Sequence, residues 1–158
     1  MNCFRTTLLL VITASLISGC KPTTAPTAAP EPDDAGSVSA LEEAGAKLKK
    51  DGDGLVIEVD FRDSTIGDAI LENLAGLRRV RKVLLNETAV TDAGMATVGK
   101  VATLQDVDLR GCTISNAGLE PLAALSGLKA LRLSGESGVT SVDDDGMVHV
   151  AKMKNLKA

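Results

Sequence analysis

Apolar residues return along this chain every 24 positions, and that period constrains the fold more than any other feature. In the stretch 104–125 they stand at Leu104, Val107, Leu109, Cys112, Ile114, Leu119, Leu122 and Leu125. One period earlier the same places hold Val80, Val83, Leu85, Thr88, Val90, Met95, Val98 and Val101. Another period back they hold Val56, Val59, Phe61, Ser64, Ile66, Leu71, Leu74 and Leu77, while Leu128, Leu131 and Leu133 begin a fourth copy. The first apolar positions of each copy are two apart, as in a short strand, and the later ones three apart, as on one face of a helix. Between them Thr91-Asp92 and Ser115-Asn116 are good helix N-cap pairs, and Gly67-Asp68 is a poorer one. A strand, turn and helix of this size cannot bury its apolar face alone, but stacked copies can. The predicted fold is therefore an α/β solenoid of about four 24-residue units over residues 55–158, with a parallel sheet on one side and helices on the other. Only 1% of the residues are aromatic, which suits a thin aliphatic stack better than a compact globule.

The unit reads L-x-x-L-x-L-x-x-(T/C/S)-x-(I/V)-(T/S)-(D/N)-A-G-L-x-x-L-x-x-L, with aliphatic swaps. It resembles the leucine-rich repeat family. Val107, Leu109, Cys112, Ile114 and Gly118-Leu119 resemble the cysteine-containing subtype, although C-x-I here is one residue shorter than that subtype's C-x-x-I. The resemblance covers about two thirds of the chain. It implies the solenoid and, because family members bind many different proteins, a protein-binding role with no partner specified.

Arg5 and the apolar run from Leu8 to Ile17 have the form of a signal peptide. The run is too short for a bilayer core of roughly 30 Å, which needs about 20 residues. Leu16-Ile17-Ser18-Gly19-Cys20 follows and resembles a bacterial lipobox. That implies a signal peptide over 1–19, lipidation of Cys20, and a cell-envelope location held by two or more acyl chains. Lys21 in place of Asp favours the outer over the inner membrane. Residues 20–37 hold four prolines and almost no bulky apolar side chain, so they are predicted to be a disordered tether. At about 3.1 Å per residue it would reach roughly 50 Å. Residues 38–54 are predicted as a capping helix and turn. Ser39 and Glu42 would form its capping box, Val38, Leu41, Ala44 or Gly45, and Leu48 its apolar face, and Lys47, Lys49 and Lys50 its C-terminal turn. Asp51-Gly52-Asp53-Gly54 reads as a turn, because Leu55 and Val56 stand where a calcium loop needs a ligand and a glycine.

The net charge of −4 and pI near 5.0 argue against a general nucleic-acid footprint. With Cys3 and Cys20 explained by targeting, Cys112 is left alone and no disulfide framework is possible. Aligned with Ser64 and Thr88, it is expected to be a small buried side chain in the turn. His149 is the only histidine and falls where the pattern expects an outward residue, so no Cys-His or Ser-His-Asp site is expected. Asp143-Asp144-Asp145 suits a helix N-terminus, with no further ligands at metal-binding spacing. No enzyme activity, cofactor or metal is expected.

The outward strand positions are the candidate binding face. They align as Glu58, Lys82, Asp106 and Ala130, then Asp60, Leu84, Asp108 and Arg132, then Arg62, Asn86, Arg110 and Ser134. All the charged members and Asn86 are expected to meet a partner protein on the concave face, with some charges pairing laterally. Four residues are inserted in the fourth unit, within 135–141. The strand around Leu131 to Leu133 is expected at an edge, either unpaired or meeting a partner. The expected function is a membrane-anchored interaction module of the bacterial envelope. The alternative is a structural spacer that self-associates through that edge.

Overall fold

The computed structural model of the protein describes residues 30–62, 64–134 and 139–157. The expected signal peptide and the Cys20 lipidation site lie outside the described residues, as do residues 135–138 of the insertion. Five strands form one sheet in the order β1 (Lys47–Lys50), β2 (Val56–Asp60), β3 (Lys82–Leu84), β4 (Asp106–Asp108) and β5 (Ala130–Arg132). The pair β1 and β2 is antiparallel, and β2 through β5 are parallel, with Glu58, Lys82, Asp106 and Ala130 side by side. The sequence period is thus the register of the sheet. The described helices are α1 (Ala35–Glu43), a 3-10 helix at Asp68–Gly76, α2 (Asp92–Val98), α3 (Asn116–Leu122) and α4 (Asp144–Val150). The architecture is mixed α/β.

Alternation within each strand sends Val59, Val83 and Val107 inward, where they meet Leu71, Met95 and Leu119 from the helices; all six are fully buried. Each such aliphatic side chain gains about 1.5–3 kcal/mol from leaving water. Thr91 and Ser115 cap α2 and α3 by accepting from the Ala93 and Ala117 N–H groups. Gly67 has no side chain to offer, and the helix after it takes the tighter 3-10 form.

A polar ladder holds successive helix starts together. The Asp68 carboxylate accepts from the Thr91 N–H and hydroxyl at 2.8 and 2.7 Å. Asp92 receives the same two bonds from Ser115. At the third step the chemistry is exchanged but still complementary: Asn116 accepts from the Asp143 N–H at 3.1 Å and donates its amide to the Asp143 carboxylate at 2.6 Å. The glycine three residues after each of the caps Thr91 and Ser115 follows from this ladder. A Cβ on Gly118 would stand 2.3 Å from Asp92 Oδ1, and one on Gly94 would stand 2.4 Å from Asp68 Oδ1. In the first segment Ile70 occupies the equivalent place.

The N-terminal cap differs from the expected one. Ordered structure begins before residue 38, because Asp33 accepts from the Val56 and Arg78 N–H groups, each at 2.7 Å. The helix N-cap is Asp34, which accepts from Ser37 N, and Ser39 lies inside the helix with its hydroxyl on Glu43. Lys47, Lys49 and Lys50 are on β1 instead of a helical turn. Gly45, at φ 90, ends α1 in a conformation that favours glycine, and β2 offers the following residues a strand partner. Asp51 does close a turn, through bonds from the Asp53 and Leu55 N–H groups.

Candidate functional site

The strands place Glu58, Asp60, Lys82, Asp106, Asp108 and Arg132 on the side of the sheet turned away from the helices, and the predicted Arg62, Asn86 and Arg110 follow two residues past the strand ends. Glu58 and Lys82, in register on β2 and β3, pair at 3.7 Å, and Arg132 reaches across to Asp106 at 2.6 Å. Lateral pairing therefore occurs, and at this partial exposure each pair is worth under about 1 kcal/mol.

Two of the nine do not face solvent. Asp60 and Asp108, expected outward, are buried at 7% and 2% exposure, and Leu84 between them is also buried. The cause lies two residues further on, where the chain turns and the arginine side chains fold back. Arg62 holds Asp60 through Nε and a terminal nitrogen at 2.6 Å, and Arg110 holds Asp108 likewise at 2.7 Å. Fork-on-carboxylate bonding of this kind roughly doubles the strength of a neutral hydrogen bond. The Arg62 side chain, by its hydrogen bonds, holds the Asp60 pKa below the usual carboxylate range. Burial opposes ionisation of Asp108, but the bonds from Arg110 and the positive charges of Arg110 and Arg132 outweigh it, and its pKa is also lowered. Leu84 keeps the two carboxylates two strands apart, roughly 10 Å, which limits their repulsion. The exposed parts of this arrangement are the arginine heads, with side-chain exposures of 51% and 52%. Asn86 lies between them in the aligned row, and its Oδ1 is buried without a hydrogen-bond partner among the described residues.

Cys112 is fully buried, donates to the Leu85 carbonyl at 3.0 Å and has its pKa raised by burial. It is a packed turn residue with little thiolate character. His149 departs from the outward orientation expected of it: it is half-buried, and its Nδ1 is shut away without a partner among the described residues. Asp143 caps α4 by accepting from Asp145 N, and the bonds from Asn116 and that N–H lower its pKa. No group of three or more metal-ligating side chains occurs among the described residues, nor any helix long and apolar enough to cross a membrane. Sequence reasoning missed the polar ladder, although its signal, Asp or Asn recurring directly after each cap, was present. No known family model and no curated protein matches this chain.

Proposed function

We propose that this chain is a leucine-rich-repeat lipoprotein, anchored through Cys20, that binds a partner protein in the bacterial cell envelope. The solenoid reading is supported by the 24-residue offset between neighbouring parallel strands and by the ladder joining successive helix starts. The observation that carries a binding role is the row of half-exposed Arg62 and Arg110 heads, held rigid by buried carboxylates on a strand scaffold. Arginine is favoured at interface hot spots, and a guanidinium already held in place loses less side-chain freedom on binding. Arg132 and Lys82 extend the same face.

The test is a crosslinking pull-down from envelope membranes, with lipidated full-length protein beside a Lys82→Ser, Arg132→Ser variant. These two positions are chosen because Asp108 and Asp60 are buried, and altering them would disturb folding. A protein captured by the wild type and lost from the variant supports the reading; equal capture by both places the binding site elsewhere.

A second reading is favoured by one specific observation. β5 is hydrogen-bonded to β4 alone among the described residues, and on α4, which packs on α3, Met147 and Val148 are 45% and 59% exposed. A structural spacer that self-associates through this edge would bury them. Sedimentation across a range of concentrations tests it, since a strict monomer excludes it.

A further inference from the structure

The four segments leading from helix into strand or chain end, residues 77–81, 99–105, 123–129 and 151–157, contain no Asp or Glu. They carry three cations in the first, one in each of the next two and three in the last. The opposite segments, from strand into helix, hold Glu87 and Asp143, with Asp68, Asp92 and Asp144 opening the helices that follow, and their arginines, Arg62 and Arg110, are folded onto carboxylates. Cations thus outnumber carboxylates at the first rim, which also carries Glu31, Asp33, Asp51 and Asp53 beside Arg78 and Arg79, in a molecule that is net negative.

Backbone bonds lay the basic segments side by side at the N-terminal ends of the strands. The Arg81 N–H donates to Ile57 O at 2.9 Å, Gln105 to Arg81 O at 2.7 Å, Lys129 to Gln105 O at 2.8 Å and Lys157 to Lys129 O at 2.8 Å. The Asn155 amide ties the last segment to Ser126 O at 2.6 Å. Two of the cations are already engaged, Arg78 by Glu31 and Arg79 by Asp51 and Asp53. Arg81, Lys100, Lys129, Lys152, Lys154 and Lys157 are exposed and make no ion pair among the described residues.

The chain also enters the fold at this rim. Asp33 is bonded to the Val56 and Arg78 N–H groups, and Glu31 pairs with Arg78 at 3.1 Å. Cys20 is ten residues before Pro30, and ten residues span at most about 35 Å. An anchor at Cys20 therefore keeps this rim within that distance of the membrane, well short of the roughly 50 Å expected from a tether ending at residue 37.

We propose that the basic rim is an interaction surface for an anionic phospholipid bilayer, so that its lysines and Arg81 rest on the headgroups and hold the partner-binding sheet face at a fixed angle to the membrane. Screening over about 10 Å lets a charged surface respond to the nearer rim more than to the net charge of −4. A polybasic patch is the kind of second signal that makes acyl anchoring stable. The setting of this proposal rests on the lipoprotein reading, but its test does not.

All the strands, core residues and helix caps described above draw on residues 33–157, so a chain beginning at Lys21 retains them and carries no lipid. Its binding to vesicles of phosphatidylglycerol in phosphatidylcholine is compared with binding to pure phosphatidylcholine. The expected result is binding to the anionic vesicles alone, lost on adding salt. Lys152→Ala with Lys154→Ala should weaken it about 25-fold, at about fivefold per charge. Ala93→Glu with Ala117→Glu changes the net charge equally but at exposed positions on the opposite rim, and should leave binding nearly unchanged. No binding to anionic vesicles, equal weakening by both pairs, or binding to an oligonucleotide in preference to the vesicles overturns the proposal. Failure of the lipoprotein reading is seen separately, as no incorporation of labelled fatty acid at Cys20 in the full-length chain.

Discussion

At the N-terminal end, α1 and β1 lie over the first strand and helix. At the far end β5 has no further strand beside it among the described residues, and the next step is only the segment tied to Lys129 through Lys157. The contrast is clearest at equivalent positions: Leu71, Met95 and Leu119 are fully buried, while Met147 is 45% exposed. Likewise Phe61, Leu85 and Leu109 are fully buried, and Leu133 is only partly so. The side chains are similar in kind, so the difference comes from their neighbours. Burial in this fold is supplied from the next segment along, and a segment with one neighbour keeps only part of it. The N-terminal end solves this with a different device, an antiparallel strand and a helix, and no strand period in the sequence announces either.

The largest expected effect is in the middle of the sheet. Leu109→Ala should cost about 2–5 kcal/mol, because fully packed surroundings collapse poorly around the lost atoms. Leu133→Ala, its counterpart on the open side, should cost under about 2 kcal/mol, since water already reaches part of the site. Urea unfolding of both variants tests the contrast; equal losses would break it. Next is the ladder. Asp92→Ala strands the Ser115 N–H and hydroxyl and should cost about 1–3 kcal/mol. Asp144→Ala, at the same place in the last segment, should stay within about 0.5 kcal/mol. Gly118→Ala should cost about 1–3 kcal/mol by crowding Asp92 and the Ile114 methyl, and part of that cost should be relieved in the Asp92→Ala background, because that change removes one of the two groups it crowds. Additive losses would show that Gly118 answers to something other than Asp92.

The smallest effect is in acid. Asp34, Asp60, Asp108 and Asp143 all have lowered pKa values. A carboxylate depressed in the folded state contributes stability that is present above its unfolded pKa and is lost as pH falls through the folded value. Stability should therefore be steady from neutral down to about pH 4 and decline below that. Asp108→Asn should flatten part of the decline, and an unchanged acid limb would contradict the assigned pairing with Arg110.

Much of the site was legible before any coordinates. The period placed Glu58, Lys82 and Asp106 in one row because a parallel register repeats the same residue in each strand. Lateral pairing was legible for the same reason. Burial of Asp60 and Asp108 was not, since alternation reports only which side of the sheet a residue takes. It says nothing of whether Arg62 or Arg110 will fold back over it. The β1 strand was hidden for a related reason: Lys47–Lys50 has too little alternation to declare itself, and its conformation depends on β2 lying beside it.

By itself the sequence determined the 24-residue register, the inward aliphatic rows and the N-caps at Thr91 and Ser115. All of these follow from the spacing and type of residues along one chain. Only the tertiary structure decided which carboxylates are covered, which glycines are needed and how each end is closed. The glycines and the closed N-terminal end depend on atoms from segments more than 20 residues apart, and the covered carboxylates on whether an arginine two residues on folds back, none of which a local pattern reports.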